Sequence, residues 1–336
     1  MGFIGSVLVW LTSFIPVAIK QGIPLLFGST GEILTEKSGN LNLGIPGIMY
    51  MGGVCGIIGA FFYEKSMNGA PLNPFLGVFI PLICALAGSA LLALLYSFLT
   101  ITMRANQNVT GLALTTFGIG IGDFFGGSLA QLFGEGGSLS VKSSSSLFRT
   151  TLPFAEDLGS IGNLLFSYGF LVYLALIIAL VVAKILNSTR IGLNLRAVGE
   201  NPATADAAGI NVTRYKYVAT VVGGAIAGLG GLYYIMDYAF GTWSDGSFGD
   251  RGWLAIALVI FALWKPKSAI IGSFLFGALY VLPAYINFGD SRTLQYVVKM
   301  LPYVVTIIVL VITSMRKKRE HQPPEHLGIS YFREER

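Results

Sequence analysis

The stretch GEILTEKSGNLNLGIPGIMYMGGVCGIIGAFF, residues 31–62, changes from polar to apolar within a few positions. Glu32, Glu36 and Lys37 lie close together in its first half, whereas residues 44–62 contain no charged side chain. A run of about 20 apolar residues is long enough to cross a bilayer as a helix. The second half therefore predicts a transmembrane helix, and residues 31–42 predict a polar loop at its mouth.

The composition extends this prediction to the whole chain of 336 residues. Hydrophobic residues make up 54%, charged residues only 12%, and the mean hydropathy is +0.69, whereas about 25% of a soluble protein is charged. The predicted fold class is an all-α polytopic membrane protein with about nine transmembrane helices, within a range of about 8–10. The predicted spans are residues 3–18, 44–62, 75–101, 110–129, 162–182, 215–238, 253–264, 269–286 and 296–314, with 23–27 as an alternative half-span.

Basic residues predict the orientation, because the cytoplasmic segments of membrane proteins carry an excess of lysine and arginine. With the C-terminus inside, sixteen lysines and arginines lie on the cytoplasmic side and six outside. The chain then divides into a transmembrane domain, residues 1–314, with a long cytoplasmic loop at 185–214, and a basic cytoplasmic tail, residues 315–336. The tail is expected to stay mobile or to lie on anionic lipid headgroups. The net charge of +5 is thus a consequence of topology, and no nucleic-acid partner is predicted.

The predicted spans lack the side chains that most membrane chemistry needs. None has an ionisable residue near its midpoint, which argues against a carrier coupled to protons or sodium ions. No nucleophile elbow, Walker lysine or HExxH motif is present, so neither an enzyme nor a cofactor is predicted. His321 and His326 are separated by two prolines, which prevents a regular helical turn between them. No metal site is predicted.

Glycines recur at a spacing of four within two of the predicted spans. This spacing places them on one face of a helix, where small residues allow two backbones to approach closely. We therefore predict helix-packing contacts in preference to a dinucleotide-binding loop. These glycines are Gly118, Gly122 and Gly126 in one span and Gly224 and Gly228 in another.

The cytoplasmic loop ILNSTRIGLNLRAVGENPATADAAGINVTR, residues 185–214, predicts a short helix with defined ends. Asn201 can cap its N-terminus, Pro202 suits its first position, and Gly209 can end it in a left-handed conformation. An isolated helix of about two turns is marginal in water. It is therefore expected to dock against a partner, or else to rest on lipid headgroups.

This loop resembles the coupling helix of ATP-binding-cassette (ABC) importer permeases, which inserts into a groove on the ATP-binding subunit. The match rests on Glu200 followed by Ala207-Ala208-Gly209. The resemblance implies contact with an ATP-binding subunit through Glu200, Asn201, Pro202, Ala203, Ala207, Ala208 and Gly209.

Three long stretches resemble one family of such permeases. They are residues 31–53, residues 194–231 (NLRAVGENPATADAAGINVTRYKYVATVVGGAIAGLGG) and residues 249–266 (GDRGWLAIALVIFALWKP). The chain is similar to the permeases of basic-membrane-protein-type importers of guanosine and other purine nucleosides, within the ribose and branched-chain amino-acid permease superfamily. The segment GLALTTFGIGIGDFFGG, residues 111–127, is similar to the shorter paralogue of the permease pair. Pro46 departs from the family, which commonly has an acid there.

The resemblance implies a permease subunit in a bacterial cytoplasmic membrane that translocates a nucleoside-like solute. ATP would be hydrolysed on a separate ATP-binding subunit, a second paralogous permease would complete a heterodimer, and an extracytoplasmic lipoprotein would deliver the solute. Riboflavin or a sugar is the alternative solute. Two other classes stay open: a membrane enzyme acting on a lipid-linked substrate through Glu32 and Glu36, and an uncoupled channel.

Four polar residues are candidates for the solute pathway: Asn40, Asn42, Thr115 and Thr116. Non-helical backbone at membrane depth is tolerated where it lines a water-filled cavity, so the asparagines could present amide groups to a passing solute. In a second interpretation they cap the next span, while Glu32, Glu36 and Lys37 are solvated. The sequence alone leaves both open.

Overall fold

The computed structural model shows a helical membrane protein, which confirms the predicted fold class. In its described residues, the one isolated β-bridge recorded joins Ser140 to Thr242. The structure describes residues 3–132, 139–151, 153, 159–286, 292–316 and 322–332.

Fourteen α-helices, numbered in chain order, account for most of this described part of the chain. Two of them, α3 and α10, continue into π-helical turns at Phe98–Thr102 and Tyr234–Tyr238. The helices are α1 Phe3–Glu36, α2 Ile45–Ser66, α3 Pro74–Ser97, α4 Gln107–Leu132, α5 Lys142–Phe148, α6 Gly159–Phe166, α7 Phe170–Ser188, α8 Arg190–Glu200, α9 Pro202–Ala207, α10 Val212–Tyr233, α11 Arg251–Phe261, α12 Pro266–Tyr285, α13 Arg292–Lys299 and α14 Leu301–Arg316.

The first helix is longer than the sequence predicts. The predicted span 3–18 and the half-span 23–27 are parts of α1, whose apolar portion is Trp10–Glu36. Pro16 and Pro24 lie inside this helix. A transmembrane helix tolerates proline when its neighbours satisfy the freed backbone groups.

The predicted polar loop is correspondingly shorter, because residues 31–36 are helical. Glu32 is fully buried and Glu36 is 3% exposed, while Lys37 is half-buried. The interpretation in which these side chains are solvated is therefore wrong for Glu32 and Glu36. The non-helical connection to α2 comprises only residues 37–44, which we call the bend.

Glycines let the central helices approach each other closely. A Cβ atom added at Gly31 would lie 2.2 Å from the Gly223 carbonyl oxygen, and one at Gly118 would lie 2.6 Å from that of Gly47. The five glycines chosen from their spacing thus all face a neighbour at short range. An added Cβ would come within 2.4 Å of Tyr50 at Gly122, of Trp243 at Gly126, of Ala93 at Gly224 and of Ser89 at Gly228.

Seven described helices are long and apolar enough to cross a membrane, and α13 with α14, bent by 43°, makes an eighth candidate. This agrees with the predicted range of eight to ten. The remaining predicted span, residues 253–264, corresponds to α11, which has only 11 residues.

The short helix α11 nevertheless runs along α1 and is bonded to it near both of its own ends. At its start, Arg251 donates to the Gln21 side chain at 3.2 Å. Just beyond its end, the Trp264 indole donates to the carboxylate of Glu36. Gln21 and Glu36 are separated by about 22 Å along α1, given a rise of 1.5 Å per residue. The segment from Arg251 to Trp264 therefore leads back to the side of the bend, and α12 starts there.

Candidate functional site

The loop of residues 185–214 folds into two helices, α8 and α9, of which the sequence predicted only the second. The Asn201 side chain accepts the Thr204 amide at 2.9 Å, and Gly209 has φ +82°, so both ends of α9 are fixed as the residue types suggest. The missed helix α8 is capped by Thr189, whose hydroxyl accepts the Gly192 amide at 3.1 Å. A threonine cap before apolar residues at helical spacing was the signal that could have revealed it.

One side of α9 packs on the chain and the other side is open. Pro202 and Ala205 are buried, and Ala205 packs with Val198 and Val212 in a small apolar cluster. An added Cβ at Gly209 would meet no atom within 4 Å. The open side therefore carries small side chains, and no other part of the described chain occupies the space next to Gly209. The exposed coupling candidates are Glu200, Asn201, Ala203, Ala207, Ala208 and Gly209.

The end of α8 contacts the bend directly. A Cβ atom added at Gly199 would lie 2.3 Å from the Lys37 carbonyl oxygen and 3.1 Å from the Gly39 amide nitrogen. Gly39 itself has φ +83°, a conformation that favours glycine. The structure thus brings the loop of residues 185–214 and the bend together, although about 160 residues separate Gly39 from Gly199 in the sequence.

Electrostatics also link these two segments. Burial lowers the pKa of the Lys37 ammonium below its usual value, and the nearby Glu200 carboxylate opposes that shift. Lys37 lies in the bend and Glu200 at the end of α8. A change of charge at Glu200 would therefore alter the pKa of Lys37 in the bend.

The two asparagines of the bend are buried and use their amides inside the protein. Asn40 donates to the hydroxyls of Thr220 at 3.2 Å and Thr100 at 3.5 Å, which ties the bend to α10 and to the end of α3. Asn42 accepts the Gly44 amide at 2.9 Å, next to the start of α2. Both side chains are fully buried, and their bonds hold the bend in place. Asn40 also lines a small cavity together with Arg104 and Lys216.

Two carboxyl groups lie beneath the bend at the end of α1. Glu32 accepts the Asn42 amide at 3.1 Å, and Glu36 accepts the indole of Trp264. Their burial keeps them away from the lipid interface. They are therefore poorly placed to act on a lipid-linked substrate, and their contacts fit a structural role.

The two threonine candidates differ in exposure. Thr115 is buried and donates to the Leu43 carbonyl at 2.8 Å, which joins α4 to the bend. Thr116 donates to the Leu112 carbonyl of its own helix at 3.2 Å and is exposed. Of the four pathway candidates, Thr116 alone is exposed.

An aromatic and acidic cluster that joins α2, α4 and the segment after α10 was missed by the sequence analysis. The Tyr50 hydroxyl contacts the Asp123 carboxylate, and the Trp243 indole donates to Asp245 at 2.7 Å. The Tyr50 and Trp243 rings lie edge to face, with centroids 5.1 Å apart. No local pattern could have revealed this cluster, because its members come from three distant parts of the chain.

Within the described residues, no three histidine, cysteine, aspartate or glutamate side chains are arranged to bind a metal ion. His326 is described and half-buried, whereas His321 lies outside the described residues. Cys55 and Cys84 are free thiols.

Residues 17–310 match the family of permease components of branched-chain amino acid transport systems. The chain belongs to this permease family. Its membership, together with the apolar helices, makes it a multi-pass transport subunit and not an enzyme.

Curated relatives with similar sequences are ABC transporter permeases. The nucleoside permease NupC of Lactococcus lactis subsp. cremoris is 32% identical over 85% of this chain and 87% of its own length. The guanosine permease NupQ of Bacillus subtilis is 28% identical over 89% and 91%, respectively. A putative glucose permease of Haloferax volcanii, TsgC13, is 33% identical over 79% and 74%.

Proposed function

We propose that this permease is the membrane subunit of an ABC importer that carries a nucleoside across a bacterial cytoplasmic membrane. Two relatives named for nucleoside or guanosine transport align over more than four fifths of this chain. The conclusion depends most on one observation: α9 has fixed ends, an open face of small residues and, through α8, a direct contact with the bend. An ATP-binding subunit that docks on α9 could therefore move the start of α2.

The face that carries the bend, α8 and α9, which we call the coupling face, is proposed to be cytoplasmic. An ATP-binding subunit must be in contact with cytosolic ATP. Basic residues are concentrated in the same segments, and cytoplasmic segments show that bias. The aromatic and acidic cluster then lies towards the outside, where a solute-binding lipoprotein would deliver the solute.

A second, paralogous permease is proposed to cover the exposed face of α4 and to form the solute pathway with it. Leu112, Thr116 and Phe117 are exposed along this helix, and Thr116 adds a hydroxyl to an otherwise apolar surface. A second permease of L. lactis, NupB, is 32% identical to this chain over a segment of 106 residues. We infer a paralogous partner for this chain because one organism has two permeases named for nucleosides, NupB and NupC.

A sugar is the second candidate solute, because the TsgC13 relative is named as a glucose permease.

The proposal is tested by co-purifying the tagged permease with its ATP-binding subunit and measuring uptake of labelled guanosine into proteoliposomes. Excess unlabelled adenosine and excess glucose serve as competitors. ATP-dependent uptake that adenosine inhibits and glucose does not is the expected result. Inhibition by glucose alone would favour the sugar, and uptake without ATP would indicate a channel.

A further inference from the structure

Part of the C-terminal tail, residues 322–332, is attached to three segments of the coupling face. The His326 amide donates to the Gly199 carbonyl at 3.0 Å, at the end of α8. The Gly328 amide donates to the Gly39 carbonyl of the bend at 3.3 Å. Together these bonds lay the tail across the junction of α8 and the bend, contrary to the expected mobile or lipid-bound tail.

The tail also reaches α9. The Tyr331 hydroxyl donates to the Asp206 carboxylate at 3.0 Å, and the ring packs on the apolar cluster that anchors α9. Beside it, the Arg104 guanidinium lies 4.5 Å from the centroid of the Phe332 ring. Arg104 lies two residues after the π-helical turn at the end of α3. The tail thus spans from α9 to the connection between α3 and α4.

Such a connection matters because α9 has little structure of its own. It contains six residues, and a helix of this length is not stable in isolation. Two buried side chains, Pro202 and Ala205, face the chain. Tyr331 holds the end of α9 through Asp206, while the same tail segment is bonded to the bend.

We propose that residues 322–332 form a strap that fixes α9 relative to the bend and transmits its movement to the start of α2. Tyr331 is a positioning residue in this arrangement, since it acts through α9. This role rests on the proposed coupling of α9 to an ATP-binding subunit. It adds a second mechanical connection to the one that α8 provides through Gly199.

The experiment uses the full chain assembled with its second permease and ATP-binding subunit in proteoliposomes supplied with Mg-ATP. Two quantities are measured: the amount of ATP-binding subunit that co-purifies, and the stimulation of ATP hydrolysis over the isolated ATP-binding subunit. The variants are Tyr331→Phe and replacement of residues 322–332 by glycine and serine at equal length. Tyr296→Phe, at an exposed tyrosine of α13, is the matched control, and Gly209→Val reports on α9 itself.

The strap predicts normal co-purification with reduced stimulation. Loss of one hydrogen bond in Tyr331→Phe should lower the stimulation by about fivefold, and the segment replacement should lower it further. Adding Asp206→Leu to Tyr331→Phe should lower it no more than Asp206→Leu alone, because both changes remove the same bond. The Tyr296→Phe control should match the wild type.

Three results would overturn the strap, and they are distinguishable. If Gly209→Val lowers the stimulation and the segment replacement does not, the coupling role of α9 stands without a strap. If neither variant lowers it, the coupling role fails as well. If the segment replacement reduces co-purification, the tail is part of the docking surface for the ATP-binding subunit and not a strap.

Discussion

The bend and α9 lie on the same face of the molecule and are both rich in small and polar residues, yet they use them in opposite ways. In the bend, Asn40 and Asn42 are fully buried; Asn40 bonds to Thr220 of α10, and Asn42 bonds to the Gly44 amide within the bend. At the end of α9 and just after it, Ala207, Ala208 and Gly209 are exposed and contribute little to packing. One segment is therefore an internal connection, and the other is a surface for a partner.

This difference gives each segment its own expected response to mutation. Changes in the bend should reduce the stability of the isolated permease, because they leave buried polar groups without partners. Changes on the open side of α9 should leave stability intact and affect only the interaction with the ATP-binding subunit. Gly199 joins the two segments and should show the more severe response.

The first prediction tests whether the coupling face is cytoplasmic, and its expected effect is all-or-none. In a background with Cys55→Ala and Cys84→Ala, Ser188→Cys should resist an impermeant thiol reagent added outside cells, whereas Ser143→Cys should react. Both serines are exposed, so accessibility depends only on the side of the membrane. The reverse labelling pattern would place α9 outside and remove it from any cytosolic ATP-binding subunit. Permeabilised cells, in which both cysteines should react, are the control.

The second prediction concerns the contact between α8 and the bend. Gly199→Val should strongly reduce the yield of folded permease, because its Cβ would lie 2.3 Å from the Lys37 carbonyl oxygen, and overpacking against backbone costs about 1–3 kcal/mol or more. The yield of monodisperse protein after size-exclusion chromatography measures this. Gly120→Ala is the control, since an added Cβ there meets no atom within 4 Å. A normal yield of Gly199→Val would show that α8 and the bend can separate without loss of the fold.

The third prediction concerns the open side of α9. Ala207→Trp should fold normally, because the residue is exposed, but it should reduce binding of the ATP-binding subunit by about tenfold or more, as expected for a bulky group in a docked interface. Binding is measured by co-purification, and stability by the thermal midpoint of the purified permease. Ser143→Trp, at an exposed serine away from α9, controls for the effect of an exposed indole. Unchanged binding in Ala207→Trp would favour the interpretation in which α9 rests on lipid headgroups.

The fourth prediction has the smallest expected effect. Asn40→Ala should lower the free energy of unfolding by about 1–2 kcal/mol, because the hydroxyls of Thr100 and Thr220 lose a buried donor. A thermal melt of the purified permease measures the change. Thr116→Val removes an exposed hydroxyl that bonds only within its own helix, and it should shift the unfolding free energy by less than about 0.5 kcal/mol. Equal stability of the two variants would contradict the internal role of the bend.

Local patterns predicted the features that depend on nearby residues. Apolar runs located most of the transmembrane helices, since a bilayer crossing needs only a continuous apolar segment of sufficient length. Asn201, Pro202 and Gly209 located α9, because helix ends are set by side chains and φ angles within a few residues. The spacing of Gly118, Gly122 and Gly126 similarly identified one packing face of α4.

Features that depend on distant residues were predicted wrongly or not at all. Glu32 and Glu36 lie in a polar stretch that is typical of a solvated loop, but both are buried. The Asn42 backbone amide and the Trp264 indole donate hydrogen bonds to their carboxylates, which compensates for the loss of water. The tail from residue 322 has no recognisable motif, yet it bonds to Gly39 and Gly199. Its partners are remote in sequence, so no local pattern could identify them.

The sequence by itself determined that this chain is a helical membrane protein, where most of its spans lie and where α9 begins and ends. These properties depend on hydrophobicity and on residues a few positions apart. Only the tertiary structure decided that the bend is buried, that α8 touches it at Gly199, and that the tail connects both to α9. Burial and contact at these places depend on backbones and donors supplied by other helices. A polar residue has no fixed role until the fold determines whether water or another helix lies beside it.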